Sequence, residues 1–191
     1  MSEIVTRTVY FEKPGKRNTE RTLQLARERA EELGIQQVVV ASTWGETGRK
    51  AAELFQGYDL IVVSHSTGFR QPNEQELTEE NREAILALSA RILTCQHAFG
   101  GVGRAVRKKL GTYEVDEIMA YTLRIFGEGM KVVCEIALMA ADAGLIRTDG
   151  EVIAIAGTGH GADTAVVLKP TNAQTFFDMR IKEIICKPRF G

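Results

Sequence analysis

Residues 151–170 constrain the fold more than any other stretch of this chain, because two apolar runs there flank a loop with three glycines. Each run, residues 152–156 and 164–168, has the length of a strand that is covered on both faces of a sheet. Glycines lack a Cβ, so the loop can bring backbone N–H groups close to a ligand above the strand end. The stretch therefore predicts a buried sheet and one wall of a site for a phosphorylated ligand.

The same loop has two other interpretations. Gly157, Gly159 and Ala162 match the spacing of a dinucleotide-binding fingerprint, which has to open a helix. Residues 164–170 are instead rich in β-branched side chains and end at a proline, which favours a strand. This context argues against a dinucleotide site. A glycine-rich turn without a ligand remains the alternative.

Strand-like runs alternate with helical periodicity along most of the chain. Strands are predicted at residues 8–11, 37–41, 58–64, 91–95 and 177–186, the last at a sheet edge, and helices at 18–33, 49–56, 115–126, 130–143 and from Thr78 onward. This alternation predicts an α/β fold in three layers, with a mostly parallel sheet and helices on both faces. At 191 residues, a single domain over residues 1–191 is the expectation.

Two of the predicted helices differ in how their apolar residues are distributed. The helix over residues 115–126 has a single, largely apolar stripe, and such a stripe usually faces the core. It consists of Val115, Ile118, Met119, Thr122 and Phe126. The helix over residues 130–143 is apolar almost all round and is expected to be buried. Its Lys131 and Glu135 are four residues apart, a spacing that favours an ion pair.

Charge and cysteine content argue against several classes of protein. The 24 Lys and Arg nearly balance the 25 Asp and Glu, which disfavours a protein held on nucleic acid by a positive field. Three widely spaced cysteines without a C-x-x-C pair indicate neither a disulfide framework nor a zinc knuckle. The N-terminus lacks the apolar segment of a signal peptide, and residues 132–146 are too short to span a bilayer. We therefore expect a cytoplasmic protein without a membrane partner.

Polar loops follow several of the predicted strands. The carboxyl ends of parallel strands lie at one edge of a sheet, where α/β proteins bind ligands. All three histidines, His65, His97 and His160, come shortly after predicted strands. The turn at residues 42–48 and the glycine run at 100–104 also follow strands. The sequence therefore predicts that four polar, glycine-rich loops converge on this edge.

The turn that contains Ser42, Thr43, Gly45, Glu46 and Thr47 has the chemistry of a phosphate site. Its hydroxyls can donate hydrogen bonds, and the helix that follows presents free N–H groups to an anion. The turn lacks the lysine and the spacing of a Walker A loop, which argues against ATP hydrolysis of that type. A serine or threonine N-cap is the alternative. With a phosphate here, Gly45→Asp is expected to abolish binding and leave the fold largely intact.

The other polar and aromatic residues at this edge fit more than one role. No two histidines have the spacing of metal ligands, so contacts to the ligand or packing within the loops are favoured over a metal site. Arg104 is the residue of the local basic cluster that best suits an anion, because it adjoins the glycines. The rings of Trp44 and Phe69 suit stacking on a planar ligand, and ordinary packing explains them equally well.

Three segments resemble the C-terminal regulatory domain of pyruvate kinases, namely VVVASTWGETGRKAA, DLIVVSHSTGF and EVIAIAGTGHGADTAVVLKP. In that domain the turn after the first main strand binds a phosphate of an activating sugar bisphosphate, and a late glycine loop closes over it. The corresponding places here are residues 42–47 and 157–163. The sequence contains no catalytic barrel of pyruvate kinase, so the resemblance does not imply that activity.

A resemblance over nearly the whole chain points to a small prokaryotic family of stand-alone proteins similar to this domain. It rests on YFEKPGKRNTERT, ASTWGETG, SHSTGF, HAFGGVGR, EIALMAADAGLI and EVIAIAGTGHGADTAVVL. The resemblance implies FMN as the cofactor, without a known reaction. The expected binding residues are Ser42, Thr43, Gly45, Glu46, Thr47, His65, Gly68, Phe69, His97, Gly101, Gly103, Arg104, Gly157, Thr158, Gly161, Ala162, Asp163 and Thr164.

Three functions are compatible with these features. The first is binding of FMN, or a similar phosphorylated small molecule, with redox chemistry left open. The second is a non-catalytic regulatory or sensor domain for a sugar phosphate. A hydrolase or transferase with His97 or His160 as base is least favoured, because no serine or cysteine is credibly paired with either. Substrate, electron partner and assembly as a homo-oligomer stay open.

Overall fold

The computed structural model describes residues 3–189, and one seven-stranded sheet lies at its centre. Its strands in chain order are β1 (Val9–Phe11), β2 (Gln37–Ala41), β3 (Asp59–Ser64), β4 (Arg91–Thr94), β5 (Val152–Ala156), β6 (Thr164–Lys169) and β7 (Arg180–Pro188). Across the sheet the order is β1-β7-β6-β5-β2-β3-β4. β6 runs antiparallel to both of its neighbours, and the other neighbouring pairs are parallel. The prediction of a mostly parallel sheet is confirmed.

Helices cover both faces of the sheet. They are α1 (Thr19–Leu33), α2 (Glu46–Leu54), α3 (Glu79–Ala87), α4 (Val102–Leu110), α5 (Val115–Arg124) and α6 (Glu128–Asp142), with 3-10 helices at Lys16–Asn18 and Ala173–Asp178. The first three share one hydrophobic core with the sheet. α5 and α6 share a second core on the opposite face. The three predicted layers are therefore present.

The interior strand β2 shows how the sequence separates the two cores. Val38 and Val40 pack in the core with α1 to α3, whereas Val39 packs in the core with α6. All three side chains have no exposed surface. Successive side chains of a strand point to opposite faces, so an unbroken run of valines suits a sheet that is covered on both sides.

The position predicted for the last strand is wrong. β7 lies inside the sheet between β1 and β6, and the edge is the three-residue strand β1. The prediction also began the strand too early, because Phe177 and Asp178 belong to a 3-10 helix. β1 pairs only with the last residues of β7, Cys186 to Pro188. The first half of β7 stays exposed, which explains its edge-like alternation of charged and apolar residues.

A helix that the sequence analysis did not predict, α4, begins within the glycine run at residues 100–104. It places Gly103 and Arg104 on its first turn instead of in a loop. Consecutive glycines and the basic run that follows obscure the helical periodicity of this segment. The start of the helix next to β4 still keeps Arg104 at the carboxyl edge of the sheet.

The inward face predicted for α5 is also wrong in large part. Val115, Ile118 and Phe126 are all more than half exposed, and the helix buries Glu117 and Ala120 instead. Arg107 of α4 donates from Nε to Glu117 Oε1 over 2.9 Å, so a polar contact with the neighbouring helix occupies this face. Of the predicted stripe, Met119 packs against the core beneath the helix, and the other four residues face outward.

Helix α6 is buried along most of its length, as predicted from its composition. It packs across β5, β2 and β6, and its Val133 and Ala137 have no exposed surface. Within residues 3–189, no helix combines the length and the apolar character that crossing a bilayer requires.

Candidate functional site

A cavity of about 420 Å³ opens at the carboxyl edge of β2, β3 and β5. Its walls come from the turn after β2, the loops after β3, β4 and β5, the start of α4 and the inner face of α6. Trp44 of the first turn stacks on His160 of the glycine loop, with ring centroids 4.1 Å apart and planes 8° apart. Segments 42–47 and 157–161, more than 100 residues apart in sequence, are therefore neighbours around one cavity.

The turn after β2 is held by hydrogen bonds from its own residues. Ser42 Oγ accepts from the N–H of Gly48 over 2.9 Å, and Ser42 N donates to Val63 O over 2.9 Å. Gly48 lets α2 approach β3, since a Cβ on it would lie 2.6 Å from Val62 Cγ1. The N–H groups that open a helix lack partners within that helix, so the first turn of α2 offers donors at the cavity.

Gly45 has a structural role in this turn and does not line the cavity. Its φ is +100°, and an added Cβ would lie 2.4 Å from Asn81 Cβ and 2.6 Å from Leu77 Cδ1. An aspartate at this position would strike α3 and would not place its carboxylate in the cavity. The expectation that Gly45→Asp leaves the fold largely intact therefore conflicts with the structure.

His65 connects two side chains that the sequence did not associate with it. Its Nδ1 lies 2.7 Å from Glu76 Oε2, and its Nε2 lies 3.2 Å from the hydroxyl of Thr43. The Glu76 side chain is only 4% exposed, and Arg70 Nε lies 2.8 Å from its other oxygen. Gln75 donates from Nε2 to His65 O over 3.0 Å and fixes the loop. A hydroxyl, an imidazole and a buried carboxylate thus form one hydrogen-bonded chain.

An aromatic and basic cluster closes the side of the cavity near β4. The ring of Phe69 lies 4.3 Å from that of His65 and 5.1 Å from that of His97. The guanidinium of Arg104 lies over the Phe69 ring at 4.7 Å. No carboxylate among residues 3–189 forms an ion pair with Arg104, so its positive charge stays available to an anion.

Burial lowers the pKa of His97 to about 4, although the nearby carboxylate of Glu135 acts in the opposite direction. The positive charges of Lys131 and Arg104 add to the lowering. Desolvation penalises the charged imidazolium, so His97 is neutral at physiological pH. A neutral imidazole can both donate and accept a hydrogen bond in the cavity.

Lys131 and Glu135 of α6 form the predicted ion pair, and both side chains are only 5% exposed. Glu135 also accepts from the backbone N–H of Phe99 over 2.9 Å, which joins α6 to the loop after β4. Burial lowers the pKa of Lys131, and the Glu135 carboxylate opposes that shift. Near the end of the same wall, Arg124 pairs with Glu128 over 2.9 Å. The acidic groups of this wall are thus balanced by neighbouring cations.

The glycine loop is held in place by Asp163, which is completely buried. Its carboxylate accepts from the N–H of Gly15 over 2.8 Å, from the N–H of Thr158 over 3.2 Å and from the hydroxyl of Thr164 over 2.9 Å. Gly161 has a φ of +78°, and a Cβ there would lie 2.4 Å from Thr19 Oγ1. Gly161 therefore packs on the N-terminal segment, and it also lines the cavity together with Gly157, Gly159 and His160.

The structure places the residues expected in the site in two groups. Those that line the cavity are Ser42, Thr43, Glu46, Thr47, His65, Phe69, His97, Arg104, Gly157 and Gly161. Those outside its lining are Gly45, Gly68, Gly101, Gly103, Thr158, Ala162, Asp163 and Thr164. Gly68 and Gly101 line a neighbouring cavity that shares the wall of Phe69, His97 and Arg104. A Cβ on Gly103 would lie 2.5 Å from Asp116, so this glycine allows α4 to pack against α5.

Sequence reasoning did not place Arg70, Glu76, Arg124 and Glu128 in the site. Arg70 and Glu76 belong to the long loop after β3, which has no periodicity that would show which side chains turn inward. The signal available for Lys131 and Glu135 was their occurrence on an otherwise apolar helix, since buried charges are rare without a role or a partner. Among residues 3–189, no group of three or more His, Cys, Asp or Glu side chains is arranged to hold a metal ion.

Comparison with solved structures gives two distant similarities. A pyruvate kinase of Cryptosporidium parvum, solved in complex with ADP, is 13% identical with a TM-score of 0.36 over 78% of this chain and 22% of the kinase chain. A variant of a hydrogen sulfide-producing enzyme, in complex with an alpha-aminoacrylate intermediate, is 17% identical with a TM-score of 0.30, over 55% of this chain and 28% of the enzyme. Such TM-scores support no argument about function.

The chain spans only 22% of the length of that pyruvate kinase, so the activity of the whole kinase does not transfer to it. A family model described as the alpha/beta domain of pyruvate kinase matches residues 20–168. This match extends from α1 to β6 and includes the turn after β2 and the glycine loop. The resemblance noted in the sequence is thereby confirmed, and the chain belongs to the family of pyruvate kinase alpha/beta domains.

Proposed function

We propose that this protein binds a phosphorylated small molecule, FMN in the first instance, in the cavity at the carboxyl edge of the sheet. The observation that carries the proposal is the meeting of the Ser42–Thr47 turn with the glycine loop around one concave space. A volume of about 420 Å³ lies within the range of small-molecule sites in proteins.

The phosphate would be bound between the first turn of α2 and Arg104. The turn supplies backbone N–H groups, the hydroxyls of Thr43 and Thr47, and the positive end of the helix dipole. Arg104 supplies a guanidinium without an acidic partner among residues 3–189. Glu46, the acidic residue of the turn, pairs with Lys16 over 2.6 Å, which reduces its repulsion of an anion.

The ring system of a flavin would be bound by the aromatic side chains of the cavity. Trp44 and His160 form one stacked pair, and His65, Phe69 and His97 form a second group on another wall. Aromatic faces prefer offset stacking on planar rings. Polar side chains in the cavity lining, Lys131 and Glu135 among them, would provide partners for the ring oxygens and nitrogens.

A regulatory or sensor domain for a sugar phosphate is the second candidate. Membership of the pyruvate kinase alpha/beta domain family favours it. The cavity also contains charged side chains that could hydrogen-bond to several hydroxyl groups, namely Arg70, Arg124, Glu128, Lys131 and Glu135. Neither candidate assigns a reaction to the protein.

Thermal unfolding in the presence of each ligand separates the two candidates, because a ligand that binds only the folded state raises its stability. FMN is expected to raise the Tm, and a hexose bisphosphate is expected to leave it unchanged. The rise with FMN should shrink in Arg104→Met and persist in Lys109→Met, an exposed cation on the same helix that does not line the cavity. A rise with the hexose bisphosphate alone would favour the sensor and reject FMN.

A further inference from the structure

The hydrogen-bonded chain of Thr43, His65 and Glu76 has the order of groups that activates a hydroxyl nucleophile. Thr43 Oγ1 lies 3.2 Å from His65 Nε2, and His65 Nδ1 lies 2.7 Å from Glu76 Oε2. Activated serine and threonine nucleophiles are recognised by such geometry, in which a base is oriented by a third group. We propose that Thr43 is the nucleophile of an acyl-transfer site in the cavity, with His65 as general base and Glu76 as its orienting carboxylate.

Glu76 determines which nitrogen of His65 can accept a proton. An ionised carboxylate only accepts hydrogen bonds, so the Nδ1 that faces Glu76 carries the hydrogen of the neutral ring. Nε2 is then the acceptor, and it faces the hydroxyl of Thr43. The 4% exposure of the Glu76 side chain and its contact with Arg70 keep the carboxylate in this position.

The position of Thr43 in the fold suits a nucleophile. It lies on the sharp turn between the interior strand β2 and helix α2, and it lines the cavity. Hydrolases with α/β folds place their nucleophile on a strand-to-helix turn of this kind, where following N–H groups stabilise an oxyanion. Here α2 begins at Glu46, three residues after Thr43, and its first N–H groups have no partners within the helix.

The reaction that this arrangement performs is hydrolysis of a small carboxylic ester. Thr43 Oγ1 attacks the acyl carbon, and its proton moves to His65 Nε2. The bond between the acyl carbon and the leaving oxygen breaks, and that oxygen takes the proton from His65. Water then attacks the acyl-threonine ester with His65 as base, which releases a carboxylic acid and restores Thr43.

This inference does not depend on the proposed flavin, because it rests on the chain of side chains and not on an anion. The two share the cavity, so assays use protein from which bound ligand has been removed, and FMN binding is measured separately by titration. Failure of ester hydrolysis would then leave the flavin proposal intact, and absence of FMN binding would leave the acyl-transfer site intact.

The test measures hydrolysis of p-nitrophenyl acetate together with mass spectrometry of the acid-quenched protein. The wild-type chain is expected to carry an acetyl group on Thr43 during turnover. Thr43→Val and His65→Asn should lower kcat/KM by about 100-fold or more and abolish that acetyl group. Glu76→Gln should lower kcat more than it raises KM, because it disturbs the base and not the binding of the ester.

Two further variants keep the test interpretable. Thr43→Ser retains a hydroxyl and should retain acetylation, whereas Thr175→Val removes an exposed hydroxyl that does not line the cavity and should leave the rate unchanged. Circular dichroism and thermal unfolding confirm that each variant is folded. Equal hydrolysis by wild-type protein and Thr43→Val, or an acetyl group found elsewhere than on Thr43, would overturn the proposal.

Discussion

At the scale of single residues, Gly45 and His97 have roles in the structure that their residue types alone do not predict. Gly45 looked like a phosphate contact, but its φ of +100° and its proximity to Asn81 make it a packing residue of the turn. His97 looked like one of three equivalent histidines, but burial lowers its pKa to about 4. Each assignment leads to a measurable consequence.

Gly45→Ala is expected to destabilise the protein more than Gly57→Ala does. Both glycines have positive φ, +100° and +86°. A Cβ at Gly57 would meet no atom of residues 3–189 within 4 Å, whereas a Cβ at Gly45 would lie 2.4 Å from Asn81 Cβ. Backbone strain costs about 1 kcal/mol at either site, and overpacking adds roughly 1–3 kcal/mol at Gly45. Urea unfolding of the two variants measures the difference, and equal losses would show that α3 moves aside freely.

The lowered pKa of His97 makes stability depend on pH. Between pH 6.5 and about 4, His97 is protonated in the unfolded chain but stays neutral in the folded protein. The free energy of unfolding therefore falls as the pH drops through this range. His97 should lower the free energy of unfolding by about 2 kcal/mol between pH 7.5 and pH 4.5. In His97→Gln this part of the decrease should be absent. Urea unfolding of the wild-type protein and of His97→Gln at the two pH values measures this difference. An identical decrease in both proteins would contradict the lowered pKa of His97.

At the scale of elements, α6 combines an apolar surface with one buried ion pair at the cavity. Breaking a buried pair leaves an uncompensated charge, whereas replacing both partners removes the need for compensation. The amide in Glu135→Gln keeps an oxygen that can accept from Phe99 N–H, so this variant isolates the charge.

We expect Glu135→Gln alone to lower the free energy of unfolding by about 3 kcal/mol or more, because Lys131 is left buried without its partner. Adding Lys131→Met should restore a large part of the loss. Urea unfolding of the wild-type protein, the two single variants and the double variant forms a complete double-mutant cycle. Additive losses would mean that the pair contributes no coupling energy and that Lys131 reaches solvent when Glu135 is replaced.

The elements themselves were largely predictable because their signals are local. The valines of β2 and the apolar run of β5 indicate buried parallel strands, and parallel strands bring their following loops to one edge. The place of β7 within the sheet could not be read in this way, since neither its length nor its charges specify which strand pairs with it. The same limit applies to Glu76, whose burial depends on a loop that folds back over His65.

At the scale of the whole molecule, the site exists only when distant parts of the chain fold together. The turn after β2, the loop after β3, the inner face of α6 and the glycine loop each contribute a wall. Asp163 in addition fastens the glycine loop to the N-terminal segment through Gly15. A ligand in this cavity would therefore contact the sheet edge and helix α6 at the same time. Because it would bind only the folded chain, it would raise the free energy of unfolding of the whole fold.

Equilibrium titration of the protein with FMN and with riboflavin, followed by flavin fluorescence, measures whether the cavity binds the phosphate of its ligand. The two ligands share the same ring and differ in the phosphate, which the account places between the first turn of α2 and Arg104. We predict that FMN binds at least about tenfold more tightly than riboflavin, a difference of about 1.4 kcal/mol, and that Arg104→Met reduces this preference. Equal affinity for the two flavins, or no binding of either, would contradict the account.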